Sequence, residues 1–251
     1  MVMIKIEDGQ GNSEYVDFTI DEESILMPLN IMIEKGGKEQ LLPPTKDISY
    51  EVAGVHGEIY KETYFQPRKF DLNVVTKEYP TQKELSDLKR QLASMLNPLS
   101  GTKSLVYLSD PSKKYLVNVS GNTDLEPYAQ WFRFTIPLTM YDPFIYGTFE
   151  KSLIGNGTIK NEGTFETGLI IEISGAITNP SVTIGTDVLT YTGTITSGNT
   201  LVIDTLKKTV KIGNNNAVNN FNGMFPLLPA ETELNVVAGS NVKIKWRDKW
   251  L

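Results

Sequence analysis

The chain has no cysteine and a single histidine, His56. The first absence excludes disulfides, thiolate metal sites and cysteine nucleophiles together, and it fits assembly in a reducing cytoplasm. The second leaves His56 as the only imidazole on which a Ser-His-Asp triad or a histidine metal site could be built, and between Gly54 and Gly57 it reads as a turn residue. Clustered Lys and Arg are also missing. A net charge of -6 offers no electrostatic footprint for wrapping nucleic acid, which needs clustered cations to neutralise phosphates. An acidic wall instead suits a passage through which DNA slides without sticking, because like charges repel at close range. No apolar run approaches a membrane span, and residues 1–6 meet charge too early to be the apolar core of a signal peptide, so a soluble chain without membrane insertion is expected. A phosphate-binding loop is absent too: Gly9-Gln10-Gly11 has no helix after it.

Helical periodicity is equally scarce. It occurs once, over Thr81 to Asn97, where Leu85, Leu88, Leu92, Met95 and Leu96 form one stripe while Lys83, Asp87, Lys89 and Arg90 take the other side. Thr81 with Glu84 three residues on has capping-box spacing, and Asn97-Pro98 followed by Gly101 marks the stop. A helix this short is marginal alone in water, so its stripe implies a sheet to pack on.

What is abundant is strand and turn. The 251 residues, 40% hydrophobic and 22% charged, are ordinary globular usage and suffice for two domains. Residues 3–7 and 15–20 read as strands around a glycine-rich turn at 8–12, with further β-like segments at 25–27 and 29–33. Residues 48–52 and 58–65 flank Ala53-Gly54-Val55-His56-Gly57, whose two glycines allow a tight reversal. The arms of that hairpin show mixed polar and apolar side chains on both faces, so part of it is expected to protrude and be covered by another molecule, with Gly54, Val55, His56 and Gly57 as subunit-interface residues. A well-alternated strand at 68–75 leads to the helix. Beyond it, residues 103–108 and 114–119 flank the turn Ser109-Asp110-Pro111-Ser112, and residues 131–138 alternate again.

After Tyr141-Asp142-Pro143-Phe144 the texture changes. The remainder is poor in charge, rich in Gly, Asn and Thr, and carries short alternating strands at 169–175, 178–184, 200–204, 209–212, 233–237 and 242–246, the habit of a β-sandwich. The expected fold is mainly β: an N-terminal α+β domain, residues 1–146, with β-sheets, one amphipathic helix and a protruding hairpin, then a C-terminal β-sandwich, residues 147–251.

Neither half yields a catalytic, cofactor or metal set. Glu172 and Asp204 can be nominated as a glycosidase pair, but solvent-facing strand positions account for both. Carbohydrate binding is the serious competitor, because sandwiches present aromatic platforms; Tyr191, Trp246 and Trp250 are the candidate sugar platform, with Phe221 and Phe225 in the same half. Trp246 and Trp250, four apart around Arg247-Asp248-Lys249, more often mark a last strand and a docked tail than a ligand site.

The order of these elements resembles the siphophage distal tail protein (Dit) family. In the first half the resemblance lies in Ala53-Gly54-Val55-His56-Gly57, the charged strand at Arg68, one helix, the hairpin at Asp110-Pro111 and Asp142-Pro143-Phe144. In the second it lies in Asn179-Pro180, residues 199–204, the segment Phe225-Pro226-Leu227-Leu228-Pro229 and the closing residues 242–251. The resemblance implies a structural, non-enzymatic baseplate-hub protein at the virion tail tip, assembled in the host bacterial cytoplasm. Six copies would join through N-terminal domains into a ring with C-terminal domains outward. That ring would sit between the major tail tube protein and the tail-associated lysin-like hub protein, pass DNA through its lumen and, in some phages, carry receptor-binding proteins. For residues 147–251 the resemblance implies a galectin-like β-sandwich; a galectin sugar site combines His, Arg, Asn and Trp, whereas here the second half has no histidine and its only arginine is Arg247, so the fold is implied without the sugar site.

Overall fold

The computed structural model describes residues 18–20, 23–24, 31–33, 41–76, 81–107, 110–121, 123, 125–127 and 131–251. The strand expected at 3–7, the turn at 8–12 and the segment 25–27 lie outside the described residues. The chain divides into two compact units, Met1–Ile145 and Tyr146–Leu251.

In the first unit, strands β1 (Phe18–Ile20), β2 (Glu23–Ser24), β3 (Ile31–Ile33), β4 (Thr45–Glu51), β5 (Glu58–Phe65) and β6 (Arg68–Thr76) precede helix α1 (Gln82–Met95). After it come β7 (Lys103–Tyr107), β8 (Lys113–Val119), β9 (Leu125–Pro127) and β10 (Phe132–Met140). An antiparallel sheet runs in the order β2-β1-β7-β8-β10-β6-β3, with β9 also on β10. Its longest ladder pairs β6 with β10, from Val75 opposite Arg133 to Arg68 opposite Met140. Both strands alternate: Phe70, Leu72 and Val74 on one, and Phe132, Phe134, Ile136 and Leu138 on the other, are buried, because successive side chains of a strand point to opposite faces.

Helix α1 forms as its sequence requires. The Thr81 hydroxyl accepts from the Glu84 backbone N–H at 3.3 Å, satisfying one of the orphan donors of the first turn. Leu85, Leu88 and Leu92 are buried, as is Leu96 at the C-cap. The Lys89 ammonium sits 5.5 Å from the centre of the buried Phe132 ring, which fixes the helix beside β10. The stop is a short 3-10 turn, Pro98–Ser100, capped by the Asn97 side chain, which accepts from Leu99 N–H.

The second unit opens in β11 (Ile145–Gly147) and continues through β12 (Lys151–Ile154), β13 (Gly157–Lys160), β14 (Ile170–Ser174), β15 (Ile177–Thr178), β16 (Ser181–Ile184) and β17 (Asp187–Tyr191). It goes on with β18 (Thr194–Ile195), β19 (Thr200–Asp204), β20 (Thr209–Ile212), β21 (Asn215–Asn216), β22 (Phe221–Asn222), β23 (Glu233–Val237), β24 (Val242–Trp246) and β25 (Lys249–Trp250). Two antiparallel sheets result, β12-β24-β14-β19-β20-β21 and β13-β23-β16-β17-β22, with β15 paired to β18. One core joins them: Ile171, Ile173, Leu201, Ile203 and Ile244 come from the first sheet and Ile159, Val182, Ile184, Leu189 and Val236 from the second. This is a β-sandwich. β12, β13 and β17 are not singled out by the sequence pattern; β12 and β13 bury little.

Two polar locks hold the sandwich at its chain ends. The fully buried Asn161 amide donates to the carbonyls of Phe165, Leu228 and Pro229 at 2.8, 3.3 and 3.2 Å, and its oxygen accepts from Gly163 N–H. One side chain thereby satisfies the backbone of segments more than sixty residues apart. At the C-terminus, the Arg247 guanidinium donates to the carbonyls of Gly147 and Thr148, and Gly147 N–H donates to Asp248 O at 2.9 Å. The Asp248 carboxylate pairs with Lys151 at 2.6 Å and accepts from Glu162 N–H at 3.2 Å. Burial works against the Lys151 charge, but the Asp248 and Glu162 carboxylates outweigh it and raise the ammonium pKa above the usual lysine value.

Candidate assembly surface

Strands β4 and β5 pair with each other and with no other described strand. None of their residues is buried; Ile48 and Phe65 are half-buried and the rest are exposed. The root is firm: Gln66 N–H donates to Pro44 O, and the Phe65 ring meets Phe144 edge-on at 5.8 Å. From there the ladder runs out to Val52–Gly57, where Val55 N–H donates to Val52 O and Gly54 and Gly57 take φ of 84° and 87°, a left-handed conformation that glycine adopts without Cβ strain. Gly54, Val55, His56 and Gly57 thus form the exposed tip of an arm.

The register sets which of these mixed side chains share a face. Pairing runs Thr45–Phe65, Lys46–Tyr64, Asp47–Thr63 and Ile48–Glu62, then slips so that Ser49 faces Tyr60, Tyr50 faces Ile59 and Glu51 faces Glu58. Lys61 is the extra residue of a β-bulge. The slip sets Ile59 rather than Tyr60 beside Tyr50, so one face carries Ile48, Tyr50, Ile59 and Tyr64 with Lys46 and Glu62. The other face carries Thr45, Asp47, Ser49, Glu51, Glu58, Tyr60, Thr63 and Phe65, and five of these side chains bond to one another. Ser49 donates to Glu58, Thr63 donates to Asp47, and the Tyr60 and Thr63 hydroxyls lie 2.8 Å apart. Sequence pattern alone missed this sorting; the run Tyr60-Lys61-Glu62, which breaks the alternation, is the signal that could have found it.

The residues expected as a sugar platform do not make one. Tyr191 and Trp246 lie on different sheets and turn inward, 6% and 8% exposed. The Trp246 indole N–H donates to Lys160 O at 2.9 Å, and the Tyr191 hydroxyl accepts from Asn220. Trp250 is half-buried in β25. Phe221 and Phe225 instead stack on each other, centroids 4.8 Å apart, at the sandwich edge. Glu172 and Asp204 are each engaged by a lysine, Lys245 at 2.5 Å and Lys207 at 3.6 Å. The bond to Glu172 raises the Lys245 pKa. Among the described residues no group of three or more acidic or imidazole side chains could hold a metal ion, and no helix is long and apolar enough to cross a membrane.

Charge separates the two units. Residues 146–251 contain nine Lys or Arg and nine Asp or Glu; of the 24 cationic and 30 acidic side chains in the chain, 15 and 21 therefore belong to the first unit, which carries the whole net charge of -6.

Comparison with known proteins bears on both units. Residues 27–140 match the family model described as a phage tail protein RIFT-related domain, and residues 162–250 match that of a siphovirus-type tail component, C-terminal domain. No curated protein matches in sequence. The crystal structure of SPP1 Dit, described as a paradigm of hub adsorption apparatus in phages infecting Gram-positive bacteria, is similar over 94% of this chain and 99% of that one, with a TM-score of 0.72 and 13% identity. A chain of the phage P2 baseplate in its activated conformation is similar over 93% and 98%, with a TM-score of 0.50 and 8% identity. Identities this low show a shared fold.

Proposed function

Since the chain belongs to the siphophage distal tail protein family, and so to the structural proteins of the phage tail, we propose that it builds a homohexameric ring through residues 1–146. That ring lies between the major tail tube protein and the tail-associated lysin-like hub protein, lets DNA pass through its lumen, and leaves the sandwich of residues 147–251 to carry receptor-binding proteins. Assembly takes place in the host bacterial cytoplasm, without cofactor or catalysis. The observation that carries this reading is the β4–β5 arm: a ladder that buries none of its own side chains gains stability only when another molecule covers it. Confinement of the acidic excess to the proposed ring-forming unit supports it further, since such a wall repels the DNA it conducts. A heterologous contact of this kind closes into a ring when the rotation per subunit divides the circle. Light scattering and negative-stain microscopy of the full chain, alone and with the tail tube protein, test the reading. Six-fold rings at high concentration are expected; a monomer at every concentration, with and without the partner, would overturn it.

A carbohydrate-binding module attaching a phage or enzyme to the host cell wall draws support from one place, the Phe221–Phe225 stack in a stretch, residues 213–230, that holds no charged side chain and six asparagines. Titration with host wall polysaccharide decides it: saturable binding abolished by Phe225→Ala would carry that alternative.

A further inference from the structure

We infer that residues 228–251 form a strap that closes the β-sandwich last and carries its opening hairpin, β12–β13, into the two sheets. The dependence lies in the topology. β12 ends one sheet and pairs with β24 alone, and β13 ends the other and pairs with β23 alone. β24 and β23 are interior, the first between β12 and β14, the second between β13 and β16. The first hairpin of the unit therefore has no ladder partner until its last two long strands arrive. Separation along the chain then sets an order. Every ladder within residues 170–222 joins residues at most 34 positions apart, Ile170 with Asp204 being the widest pair. In β12–β24 and β13–β23 the partners are more than 70 positions apart, as in Leu153 with Ile244 and Ile159 with Leu234. Closing a longer loop costs more chain entropy, and contacts distant in sequence form after local ones. The end of the strap is held beyond its ladders. Phe165 N–H donates to Lys249 O at 2.9 Å, the Lys249 ammonium lies 4.8 Å from the centre of the Phe165 ring, and Leu251 N–H donates to the Thr164 hydroxyl at 3.2 Å. Only glycine fits beside it at position 163, where a Cβ would stand 2.0 Å from Lys249 O. During synthesis these residues follow all others of the sandwich out of the ribosome, so the hairpin stays unpaired until they emerge, and a chain that stops before β23 cannot seat it.

Because the chain lacks cysteine, single thiols at buried valines report closure by pulse labelling as the full-length protein refolds from urea. Val182→Cys and Val210→Cys probe the inner ladders, and Val236→Cys and Val242→Cys probe the strap; all four positions are no more than 2% exposed. Equilibrium unfolding curves confirm that each variant folds. The two strap thiols are expected to become protected together, at least tenfold later than the inner pair. In the native protein, adding Gly163→Ala to each thiol variant is expected to raise labelling at positions 236 and 242 while positions 182 and 210 stay within twofold of their values without it. Simultaneous protection of all four thiols, earlier protection of the strap, or a Gly163→Ala change that affects all four alike would overturn the inference.

Discussion

The β4–β5 and β14–β19 ladders are both antiparallel and are built from five to eight residues per strand. The sandwich ladder buries Ile171, Ile173, Leu201 and Ile203, while the arm buries nothing. A strand-forming sequence thus does not say where its stability comes from. β14 and β19 are stabilised from within their own unit, about 1.5–3 kcal/mol for each fully buried aliphatic side chain. The arm has only its backbone ladder and its polar links, and a lone hairpin of that kind is marginal in water. Its remaining stabilisation has to come from outside, and that dependence couples the arm's order to assembly.

The contrast can be broken or sharpened by substitution. The largest effect on the isolated chain is expected at the sandwich core, where Ile171→Ala leaves a cavity at a fully buried site and should cost about 4 kcal/mol in urea unfolding; the equivalent Ile59→Ala in the arm should change monomer stability by less than about 0.5 kcal/mol. Equal costs at the two sites would erase the distinction. Next comes Asn161→Ala, which strips a donor from three carbonyls around a buried side chain and should cost about 2–3 kcal/mol. Breaking the polar links of the arm by Thr63→Ala should again leave the monomer's unfolding curve in place.

The smallest effect is the pH dependence of the C-terminal lock. The folded pKa of Lys151 is raised by Asp248 and Glu162 against the opposing effect of burial. Its contribution is therefore fully present below the unfolded lysine value and is lost as pH rises through the folded one. Lys151 is about a third exposed, so solvent screening keeps the effect under about 1 kcal/mol. Thermal unfolding of the sandwich should weaken on the alkaline side of pH 10.5, and Lys151→Met should remove that dependence. An alkaline loss that persists in Lys151→Met would assign it to another group.

Local signals made much of this legible in advance. The helix was readable because its apolar spacing, its Thr81 cap and its stop at Asn97-Pro98 agree with one another. The long strands β6 and β10 were readable from alternation alone. The sandwich was readable as a class, although β12, β13 and β17 were not; β12 and β13 hold at most one buried side chain each, so their sequences carry little inward-outward contrast. The aromatic residues left two readings open: rings such as Tyr191 and Trp246 can serve a core or a ligand, and only the sheet each belongs to decides which way it turns.

By itself the amino-acid sequence determined what is set by neighbours a few positions apart: where strands, turns and the single helix fall, and that cysteine and histidine chemistry is excluded. The tertiary structure alone decided what depends on partners far along the chain. It shows that Asn161 ties together segments sixty residues away, that residues 247–248 clasp residues 147–148, and that one extra residue at Lys61 sets Ile59 rather than Tyr60 opposite Tyr50. Register and burial are properties of pairs of segments, and the pairing comes from the whole fold.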